Sequence, residues 1–366
     1  LTFHIPPPPV TPALVLDQAA LERNLHAMQS LCDAAGVGLR AHGKMHKCST
    51  LALRQIELGA VGVCAQTVVE AEAFAAAGVP DILMTSPVAL WATERVSALA
   101  NRTRIAAVAD DPVLIEALGA AARTAGVELG LVVDVDLGQH RTGCTPNEAP
   151  ALARLAASTE GLRYDGVQAY VGHLQHVADL AARHAANDVA TRRLAELVRE
   201  LTDAGLEPGR VTGGGTGTHA YDLAGGVFTE IQAGSYAVMD AEYTACGAPG
   251  GAAWPFEPAM YVASTVVSAR QPTHATIDAG LKALSTDGPM PRIVAGAPEG
   301  SRFRFQGDEH GAIIPPEGGD MPRLGAAVWL QPGHCDPTVN LYDAFLVWSG
   351  EGWDRWPIDA RRTAVL

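Results

Sequence analysis

The chain has 366 residues, 48 % of them apolar and 18 % charged, with a formal net charge of −14. That length exceeds one ordinary hydrophobic core and implies two domains. The acidic balance excludes a nucleic-acid partner, whose phosphates need surplus Lys and Arg, and no apolar run approaches the ~20 residues of a membrane span.

The opening LTFHIPPPP lacks the charged-then-apolar pattern of a signal peptide. The six cysteines, at 32, 48, 64, 144, 246 and 335, are scattered without a CxxC pair. Free thiols in the cytoplasm are therefore expected. After the proline arm, TPALVLD reads as a strand. The next segment places Leu21, Leu25, Met28 and Leu31 at helical spacing.

From residue 37 a rhythm sets in. Apolar strands are expected at VGLRAHGK, VGVCAQ, DILMTS, RIAAVAD, LGLVVDVD, YDGVQAYVGH, RVTGGGT and TEIQAGSYA. Ala- and Leu-rich amphipathic helices such as TVVEAEAFAAAG lie between most of them. Strand–helix alternation implies parallel pairing, and eight units over ~200 residues is the size of a closed (β/α)8 barrel. A doubly wound open sheet competes, but no GxGxxG follows the first strand. Beyond about residue 245 helical periodicity fades. MYVASTVVSA, HATIDAG, RFRFQG, GAAVWLQ, NLYDAFLVW and WDRWPID then read as the strands of an all-β domain. The expected division is a barrel over 18–245 and a β domain over 246–366, joined by the N-terminal strand within 1–17.

Polar residues at the carboxyl ends of barrel strands carry the chemistry of such folds. The first strand runs into RAHGKMHK, which holds two of the chain's three lysines, Lys44 and Lys47. If the strand continues through residues 40–46, Arg40, His42, Lys44 and His46 share one face and Lys47 takes the other. An interior lysine among cationic neighbours is disfavoured as ammonium, and its neutral amine can form a Schiff base. Lys44 is thus the candidate nucleophile; a surface loop with two solvated lysines is the plain alternative.

Two small-residue turns follow the seventh and eighth strands: GGGTGT, with Gly215, Thr216 and Gly217, and AGSY, with Gly234, Ser235 and Tyr236. Backbone N–H groups and hydroxyls there could cup a phosphate; tight turns without a ligand are the alternative. A Schiff-base lysine together with a phosphate cup suggests pyridoxal 5′-phosphate. Arg141 would then face a pyridine nitrogen that stays unprotonated, because a guanidinium does not give up its proton; taken alone, a salt-bridge residue is the plain alternative. In the β domain, His334 and Asp336 stand two apart in GHCDPT. On an extended segment they share a face, a pair suited to a divalent ion such as Mn²⁺. His42/His46 and His173/His176 are equally possible ligands from bare spacing.

Seven ordered motifs resemble those of D-threonine aldolases and D-3-hydroxyaspartate aldolases. They are HGKMHK, DxGQxRxG at 136–143, QAYxGxxQH at 168–176, GGGTG, QAGSYAxMD at 232–240, DEHG at 308–311 and GHCDPT. Their order and spacing agree across almost the whole chain. The resemblance implies a fold-type III pyridoxal-phosphate enzyme similar to alanine racemase, usually a homodimer. In that family the active site lies between a barrel and a β domain, commonly the partner chain's. It implies that Lys44 carries the cofactor, that Arg141 faces its ring nitrogen, and that Tyr170 and His176 complete the site, His176 as base. It also implies His334 and Asp336 as ligands of a divalent metal, with Mn²⁺ foremost and Mg²⁺, Co²⁺ or Ni²⁺ as alternatives. The expected activity is cleavage of D-3-hydroxy-amino acids to glycine and an aldehyde. His173 departs from the pattern.

The alternatives are D-3-hydroxyaspartate cleavage to glycine and glyoxylate, a D-serine dehydratase-like ammonia-lyase, a pyridoxal-phosphate carrier and a metal-dependent hydrolase barrel. The dehydratases pair their metal histidine with a cysteine two residues on, where this chain has Asp336. The carriers lack a β domain. For a β-carboxylate on the substrate, Arg40, Lys47 and His173 are the candidate cations.

Overall fold

The computed structural model describes residues 3–361; residues 1–2 and 362–366 of the expected β domain lie outside the described residues. The chain forms two compact units. One gathers Met28–Gly234, Gly247–Ala253 and the chain from Ala360; the other gathers the chain up to Ala27, Ser235–Cys246 and Trp254–Asp359.

The first unit is a closed parallel barrel. Counting β1 as Ala13–Asp17, its strands are β2 (Gly38–His42), β3 (Gly62–Ala65), β4 (Asp81–Met84), β5 (Arg104–Ala109), β6 (Leu129–Asp134), β7 (Leu162–Ala169), β8 (Arg210–Gly213) and β9 (Glu230–Ile231). Closure is made by β2 and β9, with Gly38 opposite Glu230 and Leu39 opposite Ile231. Barrel strands are covered on both faces, so they read as continuous apolar runs; all six positions of β6 are buried. Side-chain caps end the loops and start the helices. Thr67 accepts from Glu70 N, Asp111 from Val113 N, and Asp179 from Ala181 N and Ala182 N. All eight strands expected from the sequence are the barrel strands. The last is only two residues long, since AGSY is already a turn.

Near the amino ends of the strands the barrel interior is ionic. Arg40 is buried and donates to Glu230 Oε1 and Oε2 at 2.7 and 3.0 Å and to Asp81 Oδ1 at 2.7 Å. Burial opposes its charge, but these two carboxylates hold it firmly protonated.

The second unit is mostly strand: β10 (Met260–Ser268), β11 (Ala275–Ile277), β12 (Arg292–Ala295), β13 (Arg302–Phe305), β14 (Gly311–Ile314), β15 (Ala327–Gln331), β16 (Ala344–Trp348) and β17 (Trp353–Pro357), with β1. The order is β13-β14-β11-β10-β1-β16-β17, with β15 pairing β10 and β12. β1 runs antiparallel to β10 and parallel to β16. Strands β12 and β14 were not expected, because PRIVAG and GAIIP are short runs pressed between Pro and Gly. The segment Cys335–Val339, read as extended from sequence, is a short helix. No helix among the described residues is long and apolar enough to cross a membrane.

Candidate active site

Strand β2 stops at His42, and residues 43–46 turn: Met45 N donates to His42 O at 3.4 Å and Lys47 N to Gly43 O at 2.7 Å. The shared face expected for Arg40, His42, Lys44 and His46 is therefore not formed. Alternation needs extended backbone, and the glycine at 43 ends it. Arg40 points into the ionic layer, and His46 is buried with Nδ1 accepting from Cys48 N at 3.1 Å. Lys44, half-buried, lines a pocket with His42, Gln66, Thr85, Arg141, Tyr170 and Gln232. Lys47 is occupied elsewhere, its Nζ 2.7 Å from Glu70 Oε1.

The pocket floor is a chain of hydrogen bonds between strand ends. His42 Nε2 meets Thr85 Oγ1 at 3.2 Å, and Thr85 Oγ1 donates to Gln66 Oε1 at 3.1 Å. Gln168 Nε2 donates to Thr85 O at 3.1 Å and to Asp134 Oδ1 at 2.8 Å, while Gln232 Nε2 donates to Gln168 Oε1 at 3.0 Å. Asp134 also accepts from Thr142 Oγ1 at 2.8 Å, which ties the residue after Arg141 to the end of β6. Burial pushes the Asp134 carboxyl up, against those bonds and the nearby Arg141 charge. The preceding turn is wrapped on Asp136, whose Oδ1 accepts from Gly138, Gln139 and His140 N. Burial opposes ionisation there, but these backbone donors and His140 hold the carboxyl below its usual range. Arg141 is thereby placed with its guanidinium 5.6 Å from the Tyr170 ring centre.

The glycine turn after β8 is fastened from behind. Gly215 N donates to Asp222 Oδ2 at 3.2 Å and Gly217 N to Gln175 Oε1 at 2.8 Å. Thr218 Oγ1 donates to Asp222 Oδ2 at 2.6 Å and accepts from Gln175 Nε2 at 2.9 Å. The Gln175 carbonyl presses so closely on Gly217 that a Cβ has no room. Two of the N–H groups expected for an anion thus serve the loop itself. Thr216 is buried in the same turn. The second turn lies beside β2, with His42 N donating to Ala233 O at 3.0 Å, so Gly234 flanks His42. Ser235 and Tyr236 begin a short 3-10 turn, and the buried Tyr236 ring packs 5.6 Å from Phe256. His173 is exposed; His176 is half-buried with Nε2 shielded from solvent, and is not among the residues that line the Lys44 pocket.

In the mostly-strand unit, His334 precedes the helix Cys335–Val339 in extended conformation, and Asp336 sits in its first turn. The two side chains converge without an extended segment, Nε2 to Oδ2 being 3.8 Å. His334 Nδ1 lies 2.9 Å from Asp287 Oδ2. Sequence reading missed Asp287, and it missed Gln66, Thr85 and Gln232. The last three are signalled by polar residues at strand ends; Asp287 carries no local signal.

The donor sets fit the groups expected. An amine, a guanidinium that cannot deprotonate and a phenol converge on one pocket, which suits an aldehyde-bearing pyridine cofactor. An imidazole nitrogen and a carboxylate oxygen 3.8 Å apart are near the spacing of two ligands each ~2.1 Å from one ion. No group of three or more His, Cys, Asp or Glu suited to a metal is found among the described residues, so solvent or substrate would complete such a site.

The alanine racemase N-terminal domain family matches residues 16–242, and a serine dehydratase domain family matches residues 259–348. The chain is 40 % identical over 354 residues to D-threonine aldolase from Arthrobacter sp., covering 96 % of this chain and 92 % of that one. It is 39 % identical over 363 residues to 3-hydroxy-D-aspartate aldolase from Paracoccus denitrificans, with the same coverages. The chain belongs to the D-threonine aldolase and 3-hydroxy-D-aspartate aldolase family. The crystal structure of D-threonine aldolase from Filomicrobium marinum superposes with a TM-score of 0.91 at 38 % identity, covering 96 % of each chain. The barrel with a mostly-strand second unit is thus the architecture shared by this aldolase family, and membership implies pyridoxal 5′-phosphate.

Proposed function

We propose that this chain is a pyridoxal-phosphate-dependent, metal-assisted aldolase, a carbon–carbon lyase that cleaves D-3-hydroxy-amino acids of the D-threonine type to glycine and an aldehyde. One observation carries the reading: Lys44, Arg141 and Tyr170 line a single pocket at the carboxyl ends of barrel strands. Pyridoxal 5′-phosphate held by Lys44 supplies a sink for the electron pair released when the substrate's Cα–Cβ bond breaks. His334 and Asp336 would hold a divalent ion, whose positive charge would lower the pKa of a β-hydroxyl.

The remaining work belongs to the side chains. Arg141 would donate to the ring nitrogen and keep it unprotonated, so that more of the activation would fall to the base and the ion. Tyr170 stacks its ring under that guanidinium. His176 takes the hydroxyl proton on Nε2, directly or through a water. Thr216 and the turn at Gly234 would hold the phosphate, the Gly215 and Gly217 N–H groups being committed to the loop.

The choice among β-substituents rests on the spent cations. Arg40 is occupied by Glu230 and Asp81, and Lys47 by Glu70. Of the three candidate cations only the exposed His173 is left for a β-carboxylate, and the loss of the other two favours a methyl or aryl substituent over D-3-hydroxyaspartate. Asp336, where the dehydratase pattern has cysteine, favours cleavage over ammonia loss. Mn²⁺ suits one imidazole with oxygen ligands. Six buried cysteines, none of them in a disulfide, support a cytoplasmic enzyme, and the homodimer is carried over from the family resemblance.

The test is a comparison of kcat/KM for D-threonine, D-phenylserine and D-3-hydroxyaspartate with Mn²⁺ added, product glycine being measured against ammonia. A preference for D-3-hydroxyaspartate would reassign the substrate. Ammonia with a keto acid in place of glycine would reassign the reaction.

A further inference from the structure

We propose that Asp287 is the positioning residue of the metal site, holding His334 in the tautomer that turns its Nε2 lone pair toward Asp336. The inference rests on the metal reading above and adds a residue that no motif singled out.

His334 Nδ1 is 2.9 Å from Asp287 Oδ2, while Nε2 is 3.8 Å from Asp336 Oδ2. An ionised carboxylate only accepts, so Nδ1 carries the hydrogen. In a neutral imidazole the lone pair is then on Nε2, the nitrogen that faces Asp336. Hydrogen-bonded acceptors on the far nitrogen of a ligating histidine fix the ring's orientation and raise its basicity.

Asp287 is half exposed, yet its segment is seated on the metal loop at several points. Ser285 N donates to Thr338 Oγ1 at 3.2 Å, and Ser285 Oγ donates to His334 O at 3.2 Å. Thr338 Oγ1 donates back to His334 O at 2.8 Å. The Pro289 carbonyl packs against Gly333 so tightly that no Cβ fits there. Residues 285–289 therefore lie along 333–338 as a brace, with Asp287 held at the imidazole. On the other side, Asp240 Oδ2 accepts from Cys335 N at 2.9 Å and fixes the start of the helix. The ring is thus set by one carboxylate and the helix carrying Asp336 by another.

The experiment is a Mn²⁺ titration of the pyridoxal-phosphate-loaded protein without substrate, free Mn²⁺ being read by electron paramagnetic resonance. Asp287→Ala, Asp287→Asn and Asp336→Ala are compared with the parent. Asp287→Ala is expected to weaken Mn²⁺ binding roughly 10–100-fold, with cofactor absorbance and thermal midpoint unchanged. Asp287→Asn, which keeps a carbonyl acceptor for Nδ1–H, is expected to restore most of the affinity. Parent-like affinity in Asp287→Ala with loss in Asp336→Ala would overturn the positioning role alone. An Asp287→Asn as weak as Asp287→Ala would also overturn it, since charge and not the hydrogen bond would then matter. Parent-like affinity in Asp336→Ala would bring down the metal site itself.

Discussion

Lys47 Nζ donates to Glu70 Oε1 at 2.7 Å, and Glu70 is almost wholly buried. Three residues earlier, Lys44 faces the pocket that holds Arg141 and Tyr170. Two lysines that look alike in the sequence thus have separate tasks. Lys44→Ala is expected to abolish absorbance near ~420 nm and cofactor trapping by borohydride. Lys47→Ala should keep both, but lose roughly 3 kcal/mol of stability in chemical denaturation, because a buried carboxylate loses its partner. Trapping that survives in Lys44→Ala would move the cofactor to another lysine.

His176 follows Tyr170 by one short turn, with Nε2 shielded from solvent. His176→Ala should bind the cofactor as the parent does while turnover falls roughly 10²–10⁴-fold. Single-turnover kinetics would show the loss in the cleavage step. An unaffected rate would remove His176 as the base.

Gln175 bridges the glycine turn, accepting from Gly217 N and donating to Thr218 Oγ1. Gln175→Leu keeps the bulk and removes both bonds, leaving a buried N–H without its acceptor at a cost of about 1–3 kcal/mol. Cofactor affinity of the apoenzyme, followed by fluorescence titration, should fall about 10-fold or more. Unchanged affinity would mean that the turn holds its shape without this side chain.

Asp222 is fully buried behind the same turn, and desolvation pushes its carboxyl up to about 6, against bonds from Thr218, Asn187 and Gly215. The folded state therefore holds this proton more tightly than the unfolded chain, whose Asp ionises near ~3.9. Stability from this group is full below the unfolded value and is lost as pH rises from ~4 to about 6. Asp222→Asn carries no such titration. Its stability relative to the parent should rise by up to ~3 kcal/mol between pH 4 and pH 7, read from denaturant unfolding at each pH. A difference that stays flat with pH would show that Asp222 is ionised throughout.

The barrel was legible because each strand is covered on both sides, so its residues must be apolar without alternation, and the helices between must show a 3.6-residue period. The polar residues that interrupt those runs at their carboxyl ends, Lys44, Arg141 and Tyr170, were legible for the same reason. β12 and β14 were not, since four-residue strands carry too little pattern against flanking Pro and Gly. Alternation failed twice, at 43–46 and at 335–339, because a turn and a short helix replace the extended backbone it assumes. His334 and Asp336 still converge, by a route that spacing did not describe.

Local order along the chain was enough to determine the strand–helix alternation, the lysine-rich segment after the first barrel strand and the histidine–aspartate pair, because each depends on neighbours a few residues apart. Tertiary structure alone decided which lysine is spent on Glu70, which cations are consumed by the ionic layer under β2, and that Asp287 stands at His334 from 47 residues away. Those outcomes are pairings between distant segments. Their energies come from burial and close approach, which no spacing in the sequence encodes.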